Sequence, residues 1–270
     1  MQRQSPQRFF ELYLLQLLTA ITVLLIFILG ITFISSGALL VSSVGQINSA
    51  LLNVHVLFYL LSGFINDGWG VVGFIVLLLV AIWTNMLYAK RLALFAKVLL
   101  YPIIMDVIAG SIIAAVIASR SMGYAFGVSG IAMTLAGITL VLASYLVAKR
   151  YGAEFSKLGI SLLFFSSAYT PFVYGNVVIC TVLIVAGVLA LTLALHHRKA
   201  VNTKTLISEG STTILIICDI LLIAVLLSLA FPSNIYTGSA KINILAHYIG
   251  LFLGFLVTFY ILNKDGKALR

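Results

Sequence analysis

The sequence predicts an all-α protein that crosses the membrane several times as one helix bundle. Of its 270 residues, 62% are hydrophobic and only 9% are charged, and the mean hydropathy is +1.19. Soluble domains are nearer half apolar and a quarter charged. The apolar runs are also continuous rather than alternating, which favours spanning helices over the strands of a membrane barrel.

Eight apolar runs predict spanning helices, because about 20 mostly apolar residues are needed to cross a bilayer. The run 155–170 is the shortest of them. We expect the whole chain, 1–270, to form a single membrane domain. The predicted spans are residues 10–34, 70–89, 98–118, 128–148, 155–170, 172–195, 211–231 and 244–262.

The first run follows Arg3 and Arg8 and exceeds the roughly 7–15 apolar residues of a secretory signal. It therefore predicts a first span whose start stays inside, rather than a cleaved leader. The next segment, 35–69, contains the moderately apolar stretch LLNVHVLFYLLSGF. That stretch fits either a ninth span or a helix lying in the membrane interface.

The distribution of basic residues decides between these alternatives. If 35–69 stays outside, every lysine and arginine except Arg120 and Lys241 falls on the inner side, in agreement with the positive-inside rule. A full span at 50–64 would reverse the membrane orientation of much of the chain after it, and the basic residues would no longer fall mainly on the inner side. We therefore expect both termini in the cytoplasm of a prokaryotic cell and 35–69 as an outer loop partly embedded in the plasma membrane. The net charge of +9 is then an orientation signal and not a nucleic-acid surface.

Few residues inside the spans are polar or reactive. Cys180 and Cys218 lie in apolar runs, which predicts buried packing residues rather than a disulfide or metal ligands. No phosphate-loop, zinc or dinucleotide motif is present, so we expect neither metal nor cofactor. Asp106 and Asp219 are either ion sites or paired polar groups. A transporter built on them is disfavoured, because the two halves of the chain show no repeat.

Two polar residues far apart in the sequence are predicted at the same depth. Ser129, in YAFGVSGIAM, begins the fourth span at its outer end, and His247, in ILAHYIGLFLGFL, begins the last span there. A neutral imidazole can take the proton of a serine hydroxyl and return it to a leaving group. The backbone N–H of Ser129, at a helix start, can stabilise an oxyanion, and the Gly127 loop allows close approach of a substrate.

Small residues follow both polar groups at helical spacing. Gly250 and Gly254 share the face of the histidine on the last span, and Ala132 and Ala136 share the face of the serine on the fourth. Gly130 adds a further small residue beside the serine. Small residues let membrane helices approach closely. The pattern predicts direct contact between these two spans, with serine and histidine at the outer end.

Both motifs resemble those of the rhomboid intramembrane serine proteases. In that family Gly-x-Ser-Gly opens one span, matched here by residues 127–130, and Ala-His-x-x-Gly-x-x-x-Gly lies on the last, matched by 246–254. The resemblance covers mainly 60–148 and 211–262 and implies a core of six spans, with Ser129 as nucleophile and His247 as general base and acid. It further implies cleavage of membrane-anchored protein substrates just below the outer surface, without metal or cofactor.

The chain departs from the family pattern before and inside the second predicted span. Family members carry Phe-x-His-x-Gly-Trp-x-His-x-x-x-Asn there. The stretch GFINDGWGVVGFIV keeps the phenylalanine, glycine and tryptophan but has Asn66, Val71 and Ile75 at the other positions. The resemblance assigns oxyanion contacts to the last two, so those side-chain donors are absent, and His55 and Asn66 are the auxiliary candidates.

These departures leave a second function open. Losing one oxyanion donor typically costs about 10²–10³ in rate. The alternative is therefore a catalytically inactive rhomboid-like protein that binds or escorts transmembrane helices. The family core also has one span between the serine and histidine spans, whereas this chain has three, which predicts that 155–195 is an inserted helix pair.

Overall fold

The computed structural model describes residues 69–119, 129–196, 209–231, 236–237, 240–241 and 244–267. Several predictions fall elsewhere in the chain. The first predicted span, almost all of the outer loop with His55 and Asn66, and Gly127 lie outside the described residues.

The described part of the chain is helical apart from one very short β-pair. Each long helix coincides with a predicted span to within a few residues. A short 3-10 turn, Leu92–Leu94, precedes the second helix. The helices are α1 (Trp69–Tyr88), α2 (Phe95–Ser119), α3 (Ser129–Tyr151), α4 (Phe155–Val173), α5 (Val177–His196), α6 (Glu209–Ala230) and α7 (Ile244–Lys267), and the antiparallel strands β1 (Tyr236–Thr237) and β2 (Ala240–Lys241) lie between α6 and α7.

Within the part of the chain that the structure describes, five helical stretches are long and apolar enough to cross a membrane, which agrees with an integral, multi-pass membrane protein. A shorter apolar segment, Phe74–Tyr88, lies in α1. Helix α4 is not among the five, and the first predicted span is not described, so the number of eight spans stays a prediction. The five stretches are Leu92–Gly110, Ser129–Tyr151, Val177–His196, Thr212–Ala230 and Ile244–Asp265.

Helix α3 is the centre of the bundle. Every side chain from Ile131 to Ser144 is buried, and α1, α2, α4, α6 and α7 all pack against it. A helix that is apolar on all sides is stable only when neighbours or lipid surround it, and here the neighbours are protein. The start of α3 is therefore held by several other helices at once.

The predicted inserted pair forms a helical hairpin, α4 and α5, on the outside of this core. Ser161 of α4 donates its hydroxyl to the carbonyl of Gly187 in α5 at 2.8 Å. The outward residues of α5, such as Val177 and Val178, are exposed, as expected of a helix that faces lipid.

The two cysteines differ in their surroundings. Cys180 is buried, as predicted, but Cys218 is exposed, so the prediction of burial was wrong for Cys218. The buried positions of α6 include Asp219, Ile223 and Leu226. At about 100° per residue these three share one face, and Cys218 lies beside that face on the side directed away from the bundle.

Candidate functional site

The structure brings Ser129 and His247 together at one end of the bundle. Ser129 is the first residue of α3, and His247 lies in the first turn of α7. The serine Oγ and the imidazole Nε2 are 2.7 Å apart, which is a hydrogen-bond distance. The contact predicted between these two residues, called the dyad below, is therefore present.

The second ring nitrogen of His247 has its own partner. Nδ1 lies 2.8 Å from the backbone carbonyl oxygen of Ala230. Because a carbonyl oxygen can only accept, Nδ1 carries the proton and donates it, and Nε2 is left with a lone pair for the hydroxyl of Ser129. This is the tautomer that a general base requires.

The carbonyl of Ala230 is free for this role because α6 ends there. Ala230 is the last residue of α6, and the last carbonyls of a helix have no acceptor role within it. The sequence continues with Phe231 and Pro232, and proline cannot continue a helix because it lacks an N–H. Sequence reasoning missed Ala230, because its contribution is a backbone atom. The proline after the helix was the available signal.

Aromatic packing holds the imidazole from the side. His247 is 5% exposed and Phe231 is completely buried. The two rings meet edge to face with centroids 5.7 Å apart, and Phe231 also packs against Tyr248 at 5.0 Å. Ser129 is only partly buried, so the hydroxyl is the side of the dyad that a reactant can approach.

Glycines allow α3 and α7 to touch through their backbones. A Cβ added at Gly250 would collide with the carbonyl oxygen of Gly130, and one added at Gly254 would collide with that of Thr134. A Cβ at Gly137 would likewise meet the backbone of α7. The contacts advance in the same direction along both helices, so α3 and α7 run parallel and both begin at the dyad.

Of the three α3 residues predicted to pack against α7, Gly130 lies on the ridge that meets α7, whereas Ala132 and Ala136 do not. That ridge consists of Gly130, Thr134 and Gly137. Ala132 and Ala136 are completely buried, but at about 100° per residue they lie on roughly the opposite side of α3. Side chains on a helix lean towards its N-terminus. The imidazole of His247 therefore reaches Ser129 beyond the point where α3 and α7 cross, and Ser129 need not lie on the contacting ridge.

The described residues offer one of the predicted oxyanion donors. Ser129 opens α3, so its backbone N–H has no acceptor within the helix. Ile75 is 5% exposed and belongs to the apolar core, and it offers no hydrogen-bond donor.

The two aspartates inside the spans, Asp106 and Asp219, lie outside the dyad. Asp106 is buried, and its Oδ2 lies 3.6 Å from the Cβ position of Gly130, beside the α3–α7 crossing, where the Thr134 hydroxyl donates to the Gly130 carbonyl at 3.2 Å. Asp219 is buried and accepts a hydrogen bond of 2.7 Å from Nδ2 of Asn85. Among the described residues, no group of three or more His, Cys, Asp or Glu could hold a metal ion.

Comparison with known proteins adds no relative to this picture. No family model, no characterised protein and no solved structure matches the chain.

Three helix ends meet at the dyad: the N-termini of α3 and α7 and the C-terminus of α6. The N-terminus of α3 lies at Ser129, and the C-terminus of α6 lies at the Nδ1 side of His247. Helix N-termini carry a partial positive charge and C-termini a partial negative one. Transfer of the serine proton to Nε2 produces a cation beside the negative end of α6 and leaves a developing anion near the positive end of α3. The ends of α3 and α6 thus favour the charge separation that serine catalysis requires, whereas the positive N-terminus of α7 opposes the charge on His247 in its first turn.

Proposed function

We propose that this protein is an intramembrane serine endopeptidase of rhomboid type. The observation that carries the proposal is the pair of hydrogen bonds on His247, 2.7 Å to Ser129 Oγ and 2.8 Å to the Ala230 carbonyl. One makes the imidazole the base for the hydroxyl, and the other fixes the tautomer and ring orientation.

The proposed reaction proceeds through an acyl-enzyme. Ser129 Oγ attacks a peptide carbonyl carbon as its proton moves to Nε2 of His247, and the oxyanion is held by the backbone N–H of Ser129. Nε2 then donates the proton to the leaving amine, and the C–N bond breaks. A water molecule, deprotonated by the same nitrogen, hydrolyses the ester and restores the hydroxyl.

The proposed substrates are membrane-anchored proteins whose helix unwinds near the bilayer face where α3 and α7 begin. The dyad lies in the first turn of each helix, so a substrate bond must reach that level. Glycine and other residues of low helix propensity make local unwinding less costly. On the predicted topology this is the outer face of a prokaryotic plasma membrane, with both termini of the enzyme in the cytoplasm.

A fluorophosphonate probe tests the proposal, because it labels only activated serines. We expect the wild-type protein in detergent to label and Ser129→Ala not to label. His247→Ala should label about 10²–10⁴ times more slowly, which is the usual contribution of a general base. Ser144→Ala is the matched control, since Ser144 is buried on the same helix and donates its hydroxyl within that helix to the Leu140 carbonyl, and it should label at the wild-type rate. Labelling that survives Ser129→Ala would rule out this nucleophile.

Peptidase activity needs its own measurement. The wild-type protein and Ser129→Ala are reconstituted with a single-span model substrate that carries glycines near the membrane surface. We expect cleavage by the wild-type protein only, at a position close to that surface. Equal cleavage by both proteins would contradict the proposal.

A second candidate function is a non-catalytic protein that binds or escorts transmembrane helices. The burial of apolar Ile75, where the resemblance implies an oxyanion donor, favours it. In that case the wild-type protein would not label with fluorophosphonate, while both it and Ser129→Ala would retain a tethered transmembrane helix equally in a crosslinking experiment.

A further inference from the structure

A groove with a cavity of about 420 Å³ lies between α2 and α7. It is at the end of the bundle opposite the dyad, since it includes Lys97 near the start of α2 and Lys264 near the end of α7. Its volume falls within the roughly 300–1,000 Å³ of ordinary small-molecule sites. Both helices include stretches long and apolar enough to cross a membrane, so we expect the groove to face lipid.

The polarity of the groove changes with depth in the same way on both helices. On α2, Lys97 is followed one turn deeper by Tyr101 and two turns deeper by Met105. On α7, which runs in the opposite direction, Lys264 is preceded one turn deeper by Tyr260 and about two turns deeper by Val257. Tyrosine prefers the membrane interface, and lysine extends its ammonium towards the headgroups.

The mouth of the groove is cationic. Lys97 forms a loose ion pair of 3.8 Å with Asp265, and the two side chains are 52% and 28% exposed. The Lys264 ammonium lies over the Tyr260 ring at 5.9 Å. An exposed ion pair contributes little to stability, so the ammonium groups of Lys97 and Lys264 can reorient towards an anion without a large cost.

We propose that this groove binds an anionic phospholipid. The phosphate would lie between Lys97 and Lys264, the glycerol and ester region at the level of the two tyrosines, and an acyl chain along Met105 and the neighbouring aliphatic residues. Basic pockets between spanning helices at a membrane surface bind anionic headgroups in this way. The match of charge, interfacial tyrosines and apolar depth to the three parts of a phospholipid carries the inference, which does not depend on the proposed peptidase activity.

The test is lipid retention measured by native mass spectrometry. The full chain is reconstituted in vesicles of equal parts phosphatidylglycerol and phosphatidylcholine, then released and analysed for bound lipid. The Asp265 carboxylate offsets one of the two ammonium groups of Lys97 and Lys264, which leaves one net positive charge at the mouth of the groove. We therefore expect the wild-type protein to retain about five times as much phosphatidylglycerol as phosphatidylcholine. The double variant Lys97→Gln/Lys264→Gln should lose this preference.

Two further variants separate the groove from general surface charge. Lys157→Gln removes one positive charge at the same end of the bundle, where Lys157 pairs with Glu154, and should keep the wild-type preference. Met105→Trp keeps every charge but fills the deep part of the groove, and should retain less of both lipids. Equal retention of the two lipids by the wild-type protein, an unchanged preference in the double variant, or wild-type retention by Met105→Trp would each overturn the proposal.

Discussion

Two pairs of helices in this molecule are joined at glycines, and the joints differ in kind. Between α3 and α7, the glycines bring one backbone against another, as at Gly254 and the Thr134 carbonyl. Between α4 and α5, Gly187 instead faces the ring of Phe165, whose nearest atom lies 2.8 Å from the position of an added Cβ. Both patterns look alike in the sequence, because each is a glycine in an apolar helix.

The difference shows which joint can adjust. A side-chain ring turns about its own bonds, whereas a carbonyl in the middle of a helix moves only with the helix. The α3–α7 joint therefore sets a fixed separation between the helices that carry Ser129 and His247. The α4–α5 joint lies outside the core around α3, where a change of separation need not reach the dyad.

The largest effect is expected from Gly254→Ala. The added methyl group cannot fit against the Thr134 carbonyl, so α7 must move away from α3 and His247 must move away from Ser129. A misplacement of about 1 Å can cost roughly 100-fold in rate. We expect fluorophosphonate labelling of Ser129 to slow by about that factor, measured in detergent at equal protein concentration.

Gly187→Ala is the matched control on the other joint. Phe165 can rotate away from the new methyl group, so the labelling rate should stay at the wild-type value. Thermal unfolding, followed by the melting temperature, should be little changed, because alanine in a helix offsets part of any packing loss. If both glycine variants slowed labelling equally, the distinction between the two joints would be wrong.

The sequence predicted the features that follow from apolar burial and from depth in the membrane. Continuous apolar runs predicted the described helices, and the start of two helices at the same depth predicted that Ser129 and His247 meet. The choice of ridge on α3 was not predictable in the same way, because Gly130 and Thr134 compete with Ala132 and Ala136 for the same contact. Rotation of a central helix depends on all its neighbours at once, and short-range spacing does not contain that information.

Hydrogen bonds made by backbone atoms could not be predicted from the pattern of side chains either. The carbonyl of Ala230 orients the imidazole, yet any residue at that position would supply the same atom. Phe231 packs against the imidazole because α6 ends beside the start of α7, which is a property of the assembled bundle. Burial of Cys218 was wrongly predicted for a related reason, since an apolar run does not distinguish a protein-facing side from a lipid-facing one.

An intermediate effect, on stability more than on chemistry, is expected from Asn85→Leu. This substitution removes the hydrogen bond of 2.7 Å that joins α1 to Asp219 of α6, a joint made by polar side chains rather than glycines. Hydrogen bonds between membrane helices contribute about 0.6–2 kcal/mol, so the melting temperature should fall. The labelling rate should change little, because the α3–α7 joint is untouched.

Thr84→Val is the control for that variant. Thr84 is next to Asn85, but its hydroxyl bonds within its own helix to the Val80 carbonyl, so its loss should leave the melting temperature nearly unchanged. A large fall in labelling by Asn85→Leu with an unchanged melting temperature would show that the polar joint, and not the glycine joint, positions the dyad.

The smallest effect is expected from Tyr248→Phe, which tests whether the two compared regions are coupled. Tyr248 follows His247 on α7, and its hydroxyl lies 3.4 Å from the Ser167 carbonyl of α4, so it connects α7 to the α4–α5 hairpin. A neutral hydrogen bond contributes about 0.5–1.5 kcal/mol, and one this long should be at the low end. The phenylalanine ring would keep its packing against Phe231, so the imidazole would stay supported and labelling would proceed at nearly the wild-type rate.

Tyr248→Ala removes that ring as well and should slow labelling more than Tyr248→Phe does. If instead the loss of the hydroxyl alone slowed labelling as much as Gly254→Ala, the α4–α5 hairpin would be part of the machinery that positions His247, and the mechanical separation between the two joints would have to be abandoned.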